Sequence, residues 1–237
     1  MEERPAALDD GHHADVSGGW LRPAVFGAMD GLVTNIALIA GVGGGGVSVH
    51  NVILTGFAGL VAGAVSMGLG EYTSVRTQND QVAHEVAKER AELEHHPEVE
   101  AEELAVIWIA RGLPEKLARQ VARELSKNPE EALKVHAQEE LGVNPTEQPS
   151  PWVAAISSFL CFSAGALVPL LPYLFGATAL WLSLAVGGVG LFVAGALTSR
   201  FTSRTWYGSG LRQLALGMAA AGATYLIGKA IGVSGIG

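Results

Sequence analysis

The sequence predicts an all-α membrane protein, with five transmembrane helices and a cytosolic helical metal-binding domain inserted between the second and third. Three observations carry that expectation. Only 16% of the 237 residues are charged while 49% are hydrophobic, whereas a soluble domain carries about 25% charged residues. The charge is also lopsided: all 23 acidic residues lie between Glu2 and Glu147, and from Pro149 to Gly237 the only charged side chains are Arg200, Arg204, Arg212 and Lys229. A stretch so poor in charge cannot cover itself for water, and hydrocarbon is the solvent that suits it. Third, five apolar runs are each long enough to span roughly 30 Å at 1.5 Å per residue.

Taken in order, residues 1–19 read as a polar, acidic cytosolic tail. It lacks a basic start followed by an apolar core, which argues against a cleaved secretory signal. His12 and His13 in it are an adjacent pair that could touch a metal or be incidental. Residues 20–70 hold the first two spans, Pro23–Val42 and Val52–Gly70, separated by the glycine-rich turn Gly41–Asn51. Residues 71–148 form the insert. Its Glu, Ala, Leu, Lys and Arg content favours helix, and its breakers divide it. One helix continues from the second span to Pro97, the next closes at Gly112, the third stops before Asn128-Pro129, and a last short helix closes at Gly142. Residues 149–237 hold the remaining spans, Trp152–Leu174, Ala177–Thr198 and Leu214–Val233. Pro169 and Pro172 are expected to kink the first of these.

Charge sets the orientation and excludes several functions. Lys and Arg precede the first span, follow the second and separate the fourth from the fifth, while the turns after the first and third spans carry none. The positive-inside rule then places the N-terminus and the insert in the cytosol. The insert carries 17 acidic and 9 basic residues, a net charge of −8, which argues against nucleic acid as a partner. A single cysteine, Cys161, rules out an intrachain disulfide. No G-x-x-x-x-G-K-[ST] phosphate loop is present, so ATP-driven pumping by this chain alone is not expected, and no H-E-x-x-H or nucleophile elbow appears.

Against that background the acidic residues stand out. Asp30 sits within the first apolar run. A carboxylate there costs about 2.5–3.5 kcal/mol on insertion scales, so it either lies near the interface and caps a helix or serves as a cation ligand. Met67 and Glu71 are four apart at the end of the second span and share a helical face. A thioether beside a carboxylate suits a first-row divalent metal better than calcium or magnesium, although a methionine there is equally consistent with core packing. On the insert, Glu89 with Glu92 and Glu100 with Glu103 are i, i+3 pairs that repel unless a cation lies between them, and the bend at Pro97 would bring the two pairs together. Glu139 and Glu140 follow, with His136 one turn before. A solvated acidic face, or a docking surface for a partner, is the alternative. Glu92-x-x-His95 also matches half of a di-iron motif, with only the reversed His136-x-x-Glu139 to complement it. A membrane-bound di-iron redox enzyme is therefore the second functional reading.

Several segments resemble the vacuolar iron transporter family. They are Asp30–Thr34 (DGLVT), Ser66–Val75 (SMGLGEYTSV), Glu103–Trp108 (ELAVIW) with Arg111–Pro114 (RGLP), Val168–Pro172 (VPLLP) and Arg212–Gly217 (RQLALG). The resemblance covers most of the chain from Trp20 onward. It implies a non-enzymatic homodimer whose second helix extends into a cytosolic metal-binding domain, with the transport path at the dimer interface. It implies antiport of cytosolic ferrous iron, and often manganese, against protons, with no prosthetic group and other first-row divalent metals as further cargo. By motif match Asp30 and Met67 correspond to in-membrane metal ligands, and Glu71 to the cytosolic mouth. Glu89, Glu92, Glu100 and Glu103 correspond to carboxylates of the cytosolic domain, and Glu139 or Glu140 to a later one. Methionines often precede that last pair where this chain has Val135 and His136. His136 then either replaces a soft ligand or weakens the site. A vacuolar membrane and a bacterial cell membrane are equally compatible with the sequence.

Overall fold

The computed structural model describes residues 19–201 and 203–233. The tail of residues 1–18, with His12 and His13, lies outside them. The described residues form nine α-helices: α1 (Leu21–Gly44), α2 (Val49–His95), α3 (Pro97–Ala110), α4 (Glu115–Leu125), α5 (Pro129–Glu139), α6 (Pro151–Leu167), α7 (Leu171–Leu174), α8 (Leu180–Thr198) and α9 (Trp206–Val233). Five helical stretches among them are long and apolar enough to cross a bilayer: α1, α2, Pro151–Leu174, α8 and α9. In α2 the apolar part is its first half, and the polar sequence from Glu71 onward continues the same helix without a break.

The ends fall where the breakers dictate. Pro97 and Pro129 occupy first-turn positions of α3 and α5, where a missing N–H costs nothing. The Asn128 side chain accepts a hydrogen bond from the Glu131 N–H and caps α5. After α3 and α5 the chain reverses through Gly112 (φ +100°) and Gly142 (φ +66°), a left-handed conformation that glycine adopts without strain. In the third span Pro169 and Pro172 convert one turn to 3₁₀ geometry, Val168–Leu170, between α6 and α7. The Ser183 hydroxyl on α8 donates to the Pro169 carbonyl at 2.5 Å, satisfying an acceptor at the break.

The chain forms two compact units. One comprises the described residues up to Tyr72 together with those from Trp152 onward, and the other is Thr73–Pro151. In the first unit α1 packs against α8 and α9, with Leu32, Ile36, Ala40, Leu191 and Ala221 forming one buried cluster. Phe162 and Ala166 of α6 form another with Ala64 of α2. Glycine sets the approach of α1 to α6: a methyl group on Gly27 would lie 2.6 Å from the Ser158 carbonyl oxygen, and one on Gly31 would overlap the Phe162 carbonyl. These two backbones touch with no side chain between them. Asn35, fully buried, donates to the Ala166 carbonyl at 2.5 Å.

The second unit has its own small core. Leu104 and Ala105 of α3 meet Ala118 and Ala122 of α4, with Val135 of α5 and Trp108 packed beside them. Its surface carries ion pairs, Arg90 with Glu130, Arg119 with Glu102 and Glu115, and Lys127 with Glu124. Exposed pairs of this kind contribute about 0–1 kcal/mol each.

Candidate metal centre

Within the second unit, four of the residues singled out by sequence converge. Glu89 of α2, Glu100 of α3, His136 of α5 and Glu140 at the end of α5 each offer a ligand atom, and these atoms all lie within 4.8 Å of one another. His136 is at the centre. Its Nδ1 lies 3.0 Å from Glu140 Oε1, 3.1 Å from Glu89 Oε1 and 3.8 Å from Glu100 Oε2. The helix ends explain the convergence. The break at Pro97 turns α3 back so that Glu100, in its first turn, faces the Glu89 side of α2. On α5 the positions Ala132, Leu133, His136 and Ala137 form the buried stripe, which carries His136 inward with the apolar residues.

The electrostatics are those of a cation site. Glu89 and Glu100 are each only 5% exposed and His136 is wholly buried. Burial, reinforced by the Glu140, Glu100 and Glu92 carboxylates and opposed by His136, pushes Glu89 up to about 7. Burial, then Glu103, likewise raises Glu100. Three carboxylates facing one imidazole are mutually repulsive, and Glu89 and Glu100 are also poorly hydrated; a divalent cation relieves both penalties. Among the described residues no Lys or Arg pairs with any of the three. Four basic side chains of this unit are engaged by other carboxylates: Lys88 by Glu92 at 4.0 Å, Arg111 by Glu139, Arg90 by Glu130 and Arg119 by Glu102. A cation entering the cluster displaces the proton that Glu89 holds below about pH 7. Metal affinity is therefore expected to fall on the order of tenfold or more between pH 7.5 and 5.5, measurable by calorimetry on the whole protein. An affinity independent of pH over that range would contradict this account.

The other sequence candidates are placed differently. Glu92 and Glu103, on the same i, i+3 rows as Glu89 and Glu100, do not enter the cluster: Glu92 is half-buried beside Lys88, and Glu103 is exposed. Glu139 turns away from its neighbour Glu140 and is held by Arg111 and by the Trp108 indole N–H at 3.3 Å. Arg111 and Trp108 were not among the expected site residues. Their effect depends on the phase of α5 relative to α3, which no local pattern encodes.

In the first unit, Asp30 is half-buried on α1 and accepts a hydrogen bond from Thr34 Oγ1 at 3.1 Å. No Lys or Arg pairs with it among the described residues, and it lies in the middle of α1 rather than at a cap. Met67 packs, half-buried, against the Ala64, Phe162 and Ala166 cluster. Glu71 is 8% exposed, and its Oε2 has no hydrogen-bond partner among the described residues. The di-iron arrangement does not form. His95 is exposed with its Nδ1 at 2.6 Å from the Ala91 carbonyl, while Glu139 is engaged elsewhere.

Five membrane-length helices and a largely buried carboxylate–imidazole cluster define a multi-pass membrane protein with a candidate cation site. Comparison with known proteins is consistent with that class and narrows it. Residues 21–229 match the model of the VIT family, and the chain belongs to that family. It is 36% identical to the "Vacuolar iron transporter" of Acanthamoeba castellanii, over 86% of this chain and 80% of the relative. It is 33% identical to "Vacuolar iron transporter 1" of Tulipa gesneriana, over 89% of this chain and 87% of the relative. With the protein of that name from Arabidopsis thaliana it shares 32% identity over 97% and 93% of the two chains. These relatives are transporters by name, not enzymes.

Proposed function

We propose that the protein carries ferrous iron or manganese out of the cytosol in exchange for protons, as a homodimer whose transport path runs along the subunit interface. The metal is cargo, and the chain is a transporter rather than an enzyme. The observation that carries this reading is the largely buried Glu89–Glu100–His136–Glu140 cluster, with which no Lys or Arg pairs among the described residues. In this reading the cluster lies on the cytosolic side, in agreement with the basic residues flanking the spans, and captures metal there. Glu71, Met67 and Asp30 then conduct it through the membrane, and protons taken up by the vacated carboxylates move the opposite way. Export from the cytosol has the same sense whether the membrane encloses a vacuole, as the names of the relatives favour, or a bacterial cell. Membership of a family whose members are named for iron transport supports the cargo.

The alternative, a di-iron redox enzyme, is not favoured, because Glu92, His95 and Glu139 each face other partners. The test is flux. Vesicles containing the purified protein are expected to take up ferrous iron or manganese faster than protein-free vesicles, with a proton flux of opposite direction reported by a trapped pH dye. Equal rates with and without protein would overturn the proposal.

A further inference from the structure

The first unit gathers its positive charge at one end, and there it is all arginine. Gly27 and Gly31 of α1 abut Ser158 and Phe162 of α6, while Gly41 and Gly45 abut Thr224 and Gly228 of α9. The residue numbers rise together in both pairs, so α1, α6 and α9 run parallel and start at the same end of the bundle. The helix α8 finishes at that end, because Gly195 meets Ser209 and Gly210 near the start of α9. Arg22 in the first turn of α1, Arg200 and Arg204 between α8 and α9, and Arg212 in the second turn of α9 are therefore grouped there, and each is exposed. Lys229, the other basic residue described in this unit, lies near the far end of α9.

Among the described residues no carboxylate pairs with any of the four arginines. The carboxylates described in this unit are Asp30, bonded to Thr34 in mid-helix, and Glu71, which is buried. Aromatic side chains mark the same end. Trp20, Trp152, Trp206 and Tyr207 are each more than half exposed. The Trp206 ring meets Phe192 and Tyr207 edge-on, with centroids 6.0 and 5.9 Å away. Exposed Trp and Tyr favour the headgroup level of a bilayer. Leu211 and Leu216 of α9 are exposed and apolar, so the surface changes from arginine to hydrocarbon-compatible within about one turn of Arg212. Lipid phosphates lie at such a boundary.

We propose that this end of the first unit is a docking surface for anionic phospholipid headgroups: Arg200, Arg204 and Arg212 bind the phosphates, and Trp206 and Tyr207 seat among the headgroups beside them. A planar guanidinium donates two parallel hydrogen bonds to one phosphate, which an ammonium cannot do. Each basic residue beside a span favours anionic lipid by about fivefold in partition. The surface acts on lipid and not on the transported metal, so the inference stands apart from the metal-capture reading.

The experiment titrates the full-length protein in a neutral detergent with phosphatidylglycerol or phosphatidylcholine and counts retained lipids by native mass spectrometry. Wild type is expected to retain phosphatidylglycerol at a concentration about tenfold or more lower than phosphatidylcholine, a preference that shrinks as ammonium acetate is raised. The triple variant Arg200→Gln, Arg204→Gln, Arg212→Gln is expected to bring the two lipids to within about threefold of each other. Lys229→Gln should keep the wild-type preference. An unchanged melting temperature in detergent alone checks that the triple variant is folded. If that temperature falls, the three single variants are read instead, each expected to lose about two- to fivefold of the preference. Glycerol phosphate, the soluble headgroup, is expected to leave lipid retention unchanged at millimolar concentration. Equal retention of the two lipids by wild type, a full preference in the triple variant or in all three single variants, or displacement of the lipid by glycerol phosphate would overturn the inference.

Discussion

Alanine in place of Asp30 is expected to reduce metal flux to the leak of protein-free vesicles, a loss of roughly an order of magnitude or more. Asp30 is the only acidic residue of α1. Its carboxylate is half-buried and has no basic partner among the described residues, with only the Thr34 hydroxyl bonded to it. A carboxyl side chain placed in an apolar helix costs about 2.5–3.5 kcal/mol on insertion scales, so Asp30 contributes nothing to stability there. The same argument predicts that the variant folds at least as well as wild type, since the substitution removes that cost. Size-exclusion profiles should match, and calorimetric metal binding by the Thr73–Pro151 unit should be unchanged. Asp30→Asn, which keeps the shape and the Thr34 contact but loses the charge, should be as inactive as the alanine variant. Wild-type flux from either would remove Asp30 from the path.

Valine in place of Gly228 is expected to prevent the first unit from assembling. A methyl group at this position would overlap the Gly41 carbonyl oxygen, and one at Gly232 would lie 2.6 Å from the Gly45 carbonyl oxygen. One turn before Gly228, the Thr224 hydroxyl donates to the Ala37 carbonyl at 2.6 Å. Thr224, Gly228 and Gly232 therefore form a four-residue repeat along which α9 lies directly on the backbone of α1. Overpacking usually costs about 1–3 kcal/mol. Here both surfaces are main chain and cannot yield by changing rotamer, so the cost should exceed that range. The expected result is loss of the monodisperse peak after detergent extraction. Gly222→Val is the control. No atom lies within 4 Å of a methyl group placed there, and its effect should stay within about 0.5 kcal/mol. If Gly228→Val were extracted as well as Gly222→Val, the close packing of α1 and α9 would be wrong.

The helix boundaries were legible because the residues that end helices act locally. Pro97, Gly112, Pro129 and Gly142 each impose a backbone geometry whatever surrounds them, and the structure breaks at each. Pro169 and Pro172 likewise mark the 3₁₀ turn. The cluster was legible only in part. Glu89 and Glu100 could be paired because Pro97 folds one helix back on the other, which is a local event. The i, i+3 rule then brought in Glu92 and Glu103 as well, yet three residues advance a helix by about 300°, so an i, i+3 neighbour stands about 60° off. In a site this small that separates a buried side chain from a solvated one. Choosing Glu140 over Glu139 was beyond local reasoning, since adjacent residues differ by about 100°. The choice rests on α5 meeting Trp108 of α3 and Arg111, which follows that helix. His136 could be named as a candidate, but its central position follows from a buried stripe that becomes definite only once α3 and α4 are in place.

The contact of α1 with α6 has a mechanical consequence. Because Gly27 and Gly31 place main chain directly on main chain, the layer of compliant side chains that normally lets neighbouring helices slip is missing there. Stiffness at such a seam is that of peptide groups in van der Waals contact. Any displacement of the Asp30 carboxylate must therefore drag the stretch around Ser158 and Phe162 with it. The same holds on the other side of α1, where Gly228 and Gly232 put the main chain of α9 against it, so α1, α6 and α9 form one stiff body around that carboxylate.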